Sequence, residues 1–151
     1  MKFKLILVAL LVFIVPACIQ WEEGGQNTPE EAVVTYDRIE DEEFYETYEV
    51  NDELALVFLK GTNIEEAIWA AEVHFVKDKN LWSVRSITNM QEPSDDFGTF
   101  KRMSLSKDEG YSVGYVKGEI EESVNNDLET YHVVKELEEY NGWKIWFKET
   151  S

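Results

Sequence analysis

The sequence predicts an α+β fold that is mainly β, with a short N-terminal helix packed on a curved antiparallel sheet. A helix-start signal stands at residues 28–33, and the apolar residues after it recur mostly at every second position. A period of two is typical of half-buried strands, whereas a period near 3.6 is typical of amphipathic helices. The dipeptide Asn141-Gly142 lies between two such stretches, and it is a strong signal for an antiparallel hairpin.

The first 17 residues have the order of a secretory signal peptide. Lys2 and Lys4 supply a short positive region, residues 5–15 form an unbroken apolar run of 11 residues, and Ala17 ends the segment as a small residue. A helix that spans a bilayer needs about 20 apolar residues. Residues 1–17 are therefore interpreted as a signal peptide, and the alternative is an uncleaved anchor helix that extends to Ile19.

The single cysteine of the chain follows directly. The tetrapeptide Val15-Pro16-Ala17-Cys18 resembles a bacterial lipobox, with Pro16 where a small residue is commoner. The resemblance implies cleavage between Ala17 and Cys18, and a diacylglyceryl group on the Cys18 thiol that anchors the protein at the outer face of the cell membrane. Each CH₂ buried in the membrane contributes about 0.8 kcal/mol, so two acyl chains keep a protein on the membrane, whereas one chain binds only reversibly. The alternative is an unmodified thiol buried in the apolar run.

Composition favours a single folded domain over residues 28–151, joined to the anchor by a tether at residues 18–27. The chain has 14 basic and 31 acidic side chains. Without Lys2 and Lys4, 12 basic and 31 acidic side chains remain, which is a net charge of −19. Such acidity argues against nucleic acid, which is bound by clustered Lys and Arg. The 5 Trp, 7 Tyr and 8 Phe supply a core, and one cysteine allows no disulfide within the chain.

The domain begins with a helix signal, "TPEEAV". Thr28 is a suitable N-cap, Pro29 suits the first helical position, and Glu31 stands at the capping-box position. The predicted apolar stripe consists of Ala32, Val33, Tyr36 and Ile39. We therefore predict a helix from Pro29 to about Ile39.

The rest of the domain divides into eight strand candidates separated by turn residues. In chain order they are FYETYEV, ELALVFLKG, WAAEVHF, LWSVRSI, FKRMSL, EGYSVGYVKGEI, TYHVVKEL and GWKIWFKET. Residues 77–80 are predicted to form the turn of one hairpin, and Asn141-Gly142 the turn of another. Residues 63–75 also fit a helical stripe, and a helix that runs into a strand is the alternative there.

Two segments of the domain are alike. "VFLKGTNIEEA" and "GYVKGEIEES" match with one gap, and each is followed by a His-x-Val-Lys strand and a Trp-bearing strand. A duplicated β-hairpin unit and a coincidence between two acidic segments are both open interpretations.

The lipobox-like tetrapeptide, the "TPEEAV" helix start and the hairpins that end in "LWSV" and "GWK" are similar to features of one group of proteins. These are the small, poorly characterised cell-envelope lipoproteins of Gram-positive, bacillus-type bacteria. The resemblance carries over no catalytic residue.

Residues with catalytic chemistry are few. His74 and His132 are the two histidines, and the chain lacks the H-E-x-x-H and C-x-x-C patterns, so we predict no metal site. "GYSVG" matches the G-x-S-x-G elbow of serine hydrolases, and Ser112, Asp127 and His132 follow the triad order of those enzymes. The elbow must join a strand to a helix, whereas this stretch has the pattern of a strand interior, which is the favoured interpretation.

The last strand candidate offers the best binding side chains. Alternation places Trp146 on one face together with Lys144 and Lys148. The opposite face carries the predicted core residues Trp143, Ile145 and Phe147. We therefore predict that Trp146 is an exposed binding aromatic flanked by two lysines.

These observations predict a non-enzymatic, membrane-anchored lipoprotein that acts as an extracytoplasmic binding or structural module without a cofactor. The expected partners are the membrane, through Cys18, and an envelope protein or wall component. One alternative is a regulator or inhibitor of another envelope protein that acts through an acidic face. The last alternative is a small serine hydrolase.

Overall fold

The computed structural model describes residues 26–37, 39, 42–62, 66–106, 110–118 and 131–150. The predicted signal peptide, its cleavage site, the lipidation site Cys18 and the triad candidate Asp127 lie outside the described residues. The described elements are α1 (Pro29–Asp37), β1 (Glu43–Asn51), β2 (Leu54–Thr62), β3 (Glu66–Val76), β4 (Leu81–Asn89), β5 (Phe100–Ser104), β6 (Tyr111–Lys117), β7 (Tyr131–Leu137) and β8 (Trp143–Glu149).

The eight strands form two four-stranded sheets. Sheet A has the order β1-β2-β3-β4, sheet B has the order β5-β6-β8-β7, and all neighbours are antiparallel. The prediction of a mainly β, α+β fold with a short N-terminal helix is confirmed. The division of the strands into two sheets adds to that prediction, because local periodicity does not encode which strands pair.

The two sheets stack on each other and the helix covers the other side of sheet A. The core between the sheets contains Tyr45, Leu56, Phe58, Ile68, Ala70, Met90, Leu105, Tyr111, Val113, Tyr115, Leu137, Trp143, Ile145 and Phe147. A second core between α1 and sheet A contains Ala32, Val33, Ile39, Val57, Leu59, Ala71 and Val73. Strands of sheet A are therefore buried on both faces, which explains the nearly continuous apolar run of β2.

The helix begins where its capping signal predicts. The backbone N–H of Glu31 donates to the Thr28 hydroxyl at 3.2 Å, and this bond satisfies one of the free amides of the first turn. The helix ends at Asp37, two residues before the predicted end, although Ile39 is buried against sheet A. The predicted apolar stripe is wrong for Tyr36, which is 58% exposed because α1 faces sheet A through Ala32 and Val33.

The turns and the ambiguous segment follow the strand interpretation. Asn141 and Gly142 both have positive φ, 54° and 79°, and they join β7 to β8 as the hairpin signal predicts. Residues 77–80 form the turn between β3 and β4. The helical alternative for residues 63–75 is wrong over its described part, because β3 is a strand from Glu66.

The two similar segments differ in strand pairing. In sheet A, β3 lies between β2 and β4, so the first copy is a simple meander. In sheet B, β8 lies between β6 and β7, so in the second copy the last strand pairs with both of the others. Both copies therefore contain an antiparallel hairpin, β3-β4 and β7-β8, and they differ in which strand of that hairpin pairs with the preceding strand.

Candidate functional site

The stacking of the two sheets creates two edges. β1 contacts β7 on one side, and this pair of edge strands is called the β1/β7 edge. On the other side the Ser86 hydroxyl donates to the Leu105 carbonyl, and the Thr88 hydroxyl donates to the Ser104 carbonyl at 3.3 Å. These bonds connect β4 to β5 and the chain after it, so this β4/β5 edge is closed by hydrogen bonds across the sandwich.

Exposed apolar side chains concentrate at the β1/β7 edge. Among the described residues, the exposed large apolar side chains are Tyr36 (58%), Phe44 (38%), Tyr48 (39%) and Val133 (54%). Three of these four lie on β1 or β7. They point to different faces, because Val133 is opposite Trp146 on the outer face of sheet B, whereas Tyr48 lies beside Phe147 between the sheets.

An aromatic group organises this edge. The His132 ring stacks on the buried Phe147 ring, with ring centroids 4.8 Å apart and an angle of 12° between the planes. The Tyr48 ring lies 4.8 Å from Phe147 and 5.9 Å from His132. Phe147 thus holds two exposed rings, one from each sheet, in fixed positions, as rigid aromatic anchors in binding surfaces require.

The same edge is acidic on the β1 side. Glu43, Glu46 and Glu49 are all exposed on β1. Sequence reasoning proposed an acidic face but did not place it or Tyr48 at this edge, because it did not predict that β1 ends a sheet or lies beside β7. The available signal was "EFYETYEVN", which alternates weakly and carries aromatics and acids together.

The predicted binding residues lie on the outer face of sheet B. Trp143, Ile145 and Phe147 face the core, as predicted, and Trp146 points the other way. The prediction that Trp146 is exposed is wrong: it is 0% exposed. Phe100 stacks on its ring at 5.0 Å and 10°, and Tyr131 meets it edge-on at 4.8 Å and 74°.

The two predicted lysines keep their positions beside these rings. The Lys148 ammonium lies 5.2 Å from the centre of the Tyr131 ring, within the range of a cation–π contact. Lys144 is half-buried on the same face, opposite Val116 of β6 and Glu136 of β7 in the strand register. One face of β8 therefore carries Lys144, Trp146 and Lys148. The indole of Trp146 is buried against Phe100 and Tyr131, so neither face of its ring is exposed for binding.

The serine and histidine of the predicted triad are not brought together. Ser112 is opposite Lys148 in the register and faces the outer side of sheet B, where the Arg102 Nε donates to its hydroxyl at 3.1 Å. His132 is opposite Phe147 and faces the other side of the same sheet. Since neighbouring strand positions point to opposite faces, the two side chains are separated by the sheet itself. "GYSVG" lies within β6, as the strand interpretation predicted.

His74 takes part in a cluster that sequence reasoning missed. Its Nε2 lies 2.6 Å from Glu72 Oε1, the Ser106 hydroxyl donates to Glu72 Oε2, and the Arg85 guanidinium lies 3.7 Å from Oε1. Glu72 is only 3% exposed, so three polar partners offset its burial. The carboxylate lies between serine and histidine, whereas nucleophilic catalysis needs the histidine on the hydroxyl. The cluster therefore connects the sheets and does not activate Ser106.

The buried Tyr115 and the half-buried Tyr140 make hydrogen bonds at the end of the sandwich that contains Lys60. The Tyr140 hydroxyl donates to Glu92 at 2.6 Å and accepts from Lys60 at 3.0 Å, and the Tyr115 hydroxyl donates to the Gln91 carbonyl at 2.7 Å. Burial is the largest cause that raises the pKa of both tyrosines. Both hydroxyls therefore remain protonated and act as hydrogen-bond donors at neutral pH.

Two kinds of feature are absent from the part of the chain that the structure describes. It contains no group of three or more His, Cys, Asp or Glu side chains arranged to hold a metal ion. It also contains no helix that is long and apolar enough to cross a bilayer. In comparisons with protein-family models, with curated proteins and with solved structures, no match to this chain was found.

Proposed function

We propose that this protein is a non-enzymatic lipoprotein, anchored by Cys18 at the outer face of the cell membrane, that binds an envelope protein through the β1/β7 edge. The observation that carries the proposal is the aromatic group at that edge, in which Phe147 supports the exposed rings of Tyr48 and His132. The other edge is occupied by hydrogen bonds between the sheets. Among the described strands β1 pairs only with β2, and this sheet edge together with the exposed rings suits a protein partner.

The alternative function is a regulator or inhibitor that acts through an acidic face. The three exposed glutamates of β1 favour it, since they line the same edge. An interface based on charge weakens steeply with salt, whereas one based on buried aromatics does not. Salt dependence therefore separates the two candidate functions.

A photocrosslinking residue at Tyr48 tests the site in intact membranes. Tyr36 is the matched control, because it is a more exposed tyrosine that lies on α1 and not on the edge. We expect an adduct of one partner from position 48, a weaker one or none from position 36, and loss of the adduct in His132→Ala, which removes the ring beside Tyr48. Equal adducts from both positions, or none from position 48, would refute the site. An adduct that disappears at high salt would favour the regulator.

The anchor has its own test. Mass spectrometry of the membrane fraction should find a diacylglyceryl thioether on Cys18 at the N-terminus of the mature chain. Membrane retention that is unchanged in Cys18→Ala, with the signal still cleaved, would contradict the lipoprotein proposal.

A further inference from the structure

The first described residue fixes the point at which the chain enters the domain. Gln26 and Trp82 form an isolated antiparallel bridge. The Gln26 nitrogen lies 2.9 Å from the Trp82 carbonyl oxygen, and the Trp82 nitrogen lies 2.7 Å from the Gln26 carbonyl oxygen. Trp82 is the second residue of β4, so the entering chain is bound to the outer side of sheet A at the start of that strand. Bonds in both directions hold this segment more firmly than a side-chain contact would.

From this bridge we propose that the domain sits on the lipid surface with the β3/β4 hairpin end, residues 75–82, towards the bilayer. The inference rests on the proposed anchor at Cys18. Eight residue steps separate Cys18 from Gln26, and even a fully extended chain of that length spans at most about 28 Å. The strands of sheet A have 9 to 11 residues, and at about 3.3 Å per residue they are roughly 30 Å long. The tether is therefore shorter than the domain, and it keeps the hairpin end nearest the membrane.

The side chains at this end suit the headgroup region of a bilayer. The Phe75 and Trp82 rings lie 5.4 Å apart in an edge-on pair, and both are half-buried. Indole rings favour the interface between headgroups and hydrocarbon. Lys77 and Lys79 are exposed in the turn, where their ammonium groups can reach lipid phosphates.

The charge at this end defines the kind of lipid. Asp78 lies between the two lysines, and Lys77 forms an ion pair with Glu53 of the neighbouring turn. The end therefore carries no excess of positive charge that would require anionic lipid. The partner that fits is a zwitterionic phospholipid surface, held close by the anchor.

This orientation leaves the proposed binding edge free. β1 is separated from β4 by three strand spacings, or about 14 Å, and lies on the side away from the tether. The turn at residues 138–142 lies at the far end of the sandwich, since Tyr140 bonds Lys60 at the opposite end of β2 from Leu54, which pairs with His74. The turn at residues 138–142 therefore faces the wall side of the membrane, and the β1/β7 edge lies to one side of the tether.

Spin labels at the two ends test the orientation. The full chain, acylated at Cys18, is placed in phosphatidylcholine vesicles that contain a nickel-chelating lipid, and a nitroxide is attached to Lys79→Cys or to Glu138→Cys. Both native residues are exposed. Since the ends are about 30 Å apart, we expect line broadening by the surface nickel to be about threefold stronger at position 79. Equal broadening, or stronger broadening at position 138, would overturn the proposal.

Labelling of the unsubstituted chain separates failure of the anchor from failure of the orientation. A nitroxide that attaches to Cys18 would refute the acyl anchor of the proposed function. A thiol-reactive lipid then joins the same residue to the vesicle, and the comparison of positions 79 and 138 is repeated with its expected result unchanged.

A substitution in the bridge tests its role directly. Gln26→Pro removes the N–H that donates to the Trp82 carbonyl, whereas Gln26→Ala keeps it. We expect the difference in broadening between the two ends to fall by about half in the proline variant and to remain in the alanine variant. A difference that persists in Gln26→Pro would show that the bridge does not orient the domain.

Discussion

The Ser106 hydroxyl donates a hydrogen bond to the buried carboxylate of Glu72. Glu72 lies on β3 of sheet A, and Ser106 follows β5 of sheet B, so this bond joins the two sheets at the β4/β5 edge. The Ser106 oxygen also accepts from the backbone N–H of Tyr111 at 3.3 Å. These two hydrogen bonds thus connect Glu72 of sheet A to the first residue of β6.

Removal of the Glu72 carboxylate should destabilise the domain. Glu72→Ala leaves the Ser106 hydroxyl without its acceptor, and we expect the free energy of unfolding to fall by about 1–3 kcal/mol in urea denaturation. Ser106→Ala should cost less, and the double variant should cost less than the sum of the two because the residues share a bond. Glu46→Ala, at an exposed position of β1, is the control. Additive effects of Glu72→Ala and Ser106→Ala would contradict the coupling.

A methyl group at Gly114 should be tolerated poorly. A Cβ there would overlap the backbone carbonyl oxygen of Lys101 and approach the Trp146 ring. Backbone of a neighbouring strand cannot move aside without breaking sheet bonds, so Gly114→Ala should lower the thermal midpoint and cost about 1–3 kcal/mol or more. Gly61→Ala is the comparison, because its Cβ would overlap Ile39 Cγ2 and contact Trp69 Nε1, and both are side-chain atoms whereas the Lys101 oxygen is backbone. An equal or larger loss in Gly61→Ala would refute this explanation.

Truncation of Trp146 should act on folding and not on binding alone. The indole is fully buried between Phe100 and Tyr131, so Trp146→Ala should cost about 3–5 kcal/mol of unfolding free energy. Val133 is opposite Trp146 in the register and 54% exposed, so Val133→Ala should change stability by no more than about 0.5 kcal/mol. Chemical denaturation monitored by circular dichroism measures both. A Trp146→Ala domain as stable as the parent would contradict the packing role of the indole.

Ionisation of Tyr115 should contribute to alkaline unfolding. Burial, followed by the nearby Tyr140, Tyr45 and Glu92, raises the pKa of Tyr115 in the folded state. Above pH of about 10 the unfolded chain loses this proton and the folded chain keeps it, so stability falls as pH rises by up to about 1.4 kcal/mol per pH unit from this group. Tyr115→Phe should reduce that slope, although it loses the bond to Gln91 at neutral pH. Denaturation curves between pH 9 and 12 measure the slopes, and identical slopes would contradict the assignment.

Local patterns predicted much of the secondary structure. Thr28 caps α1, Asn141-Gly142 turns between β7 and β8, and the alternation of β8 separates its core face from Trp146. Each of these features depends on residues within a few positions of one another. The candidate site was not predictable in this way, because Tyr48 and His132 are far apart in the chain and meet only when β1 stacks beside β7.

The case of Glu72 shows a signal that was present in the sequence. It shares a strand face with Ile68 and Ala70, both of which are buried, and a charged residue at such a position indicates a buried polar cluster. The partners of that charge could not be named from the sequence, since Ser106 is 34 residues away and belongs to the other sheet.

The sequence by itself determined where the helix starts, where the strands run and which side chains of each strand share a face, because capping, turn geometry and alternation act over a few neighbouring residues. The tertiary structure alone decided that the strands divide into two sheets, that Phe100 and Tyr131 bury Trp146, and that Ser112 and His132 face opposite sides of sheet B. Those outcomes depend on the pairing of distant strands. The free energy of that pairing comes from packing across the whole core and is not encoded in any short stretch of the chain.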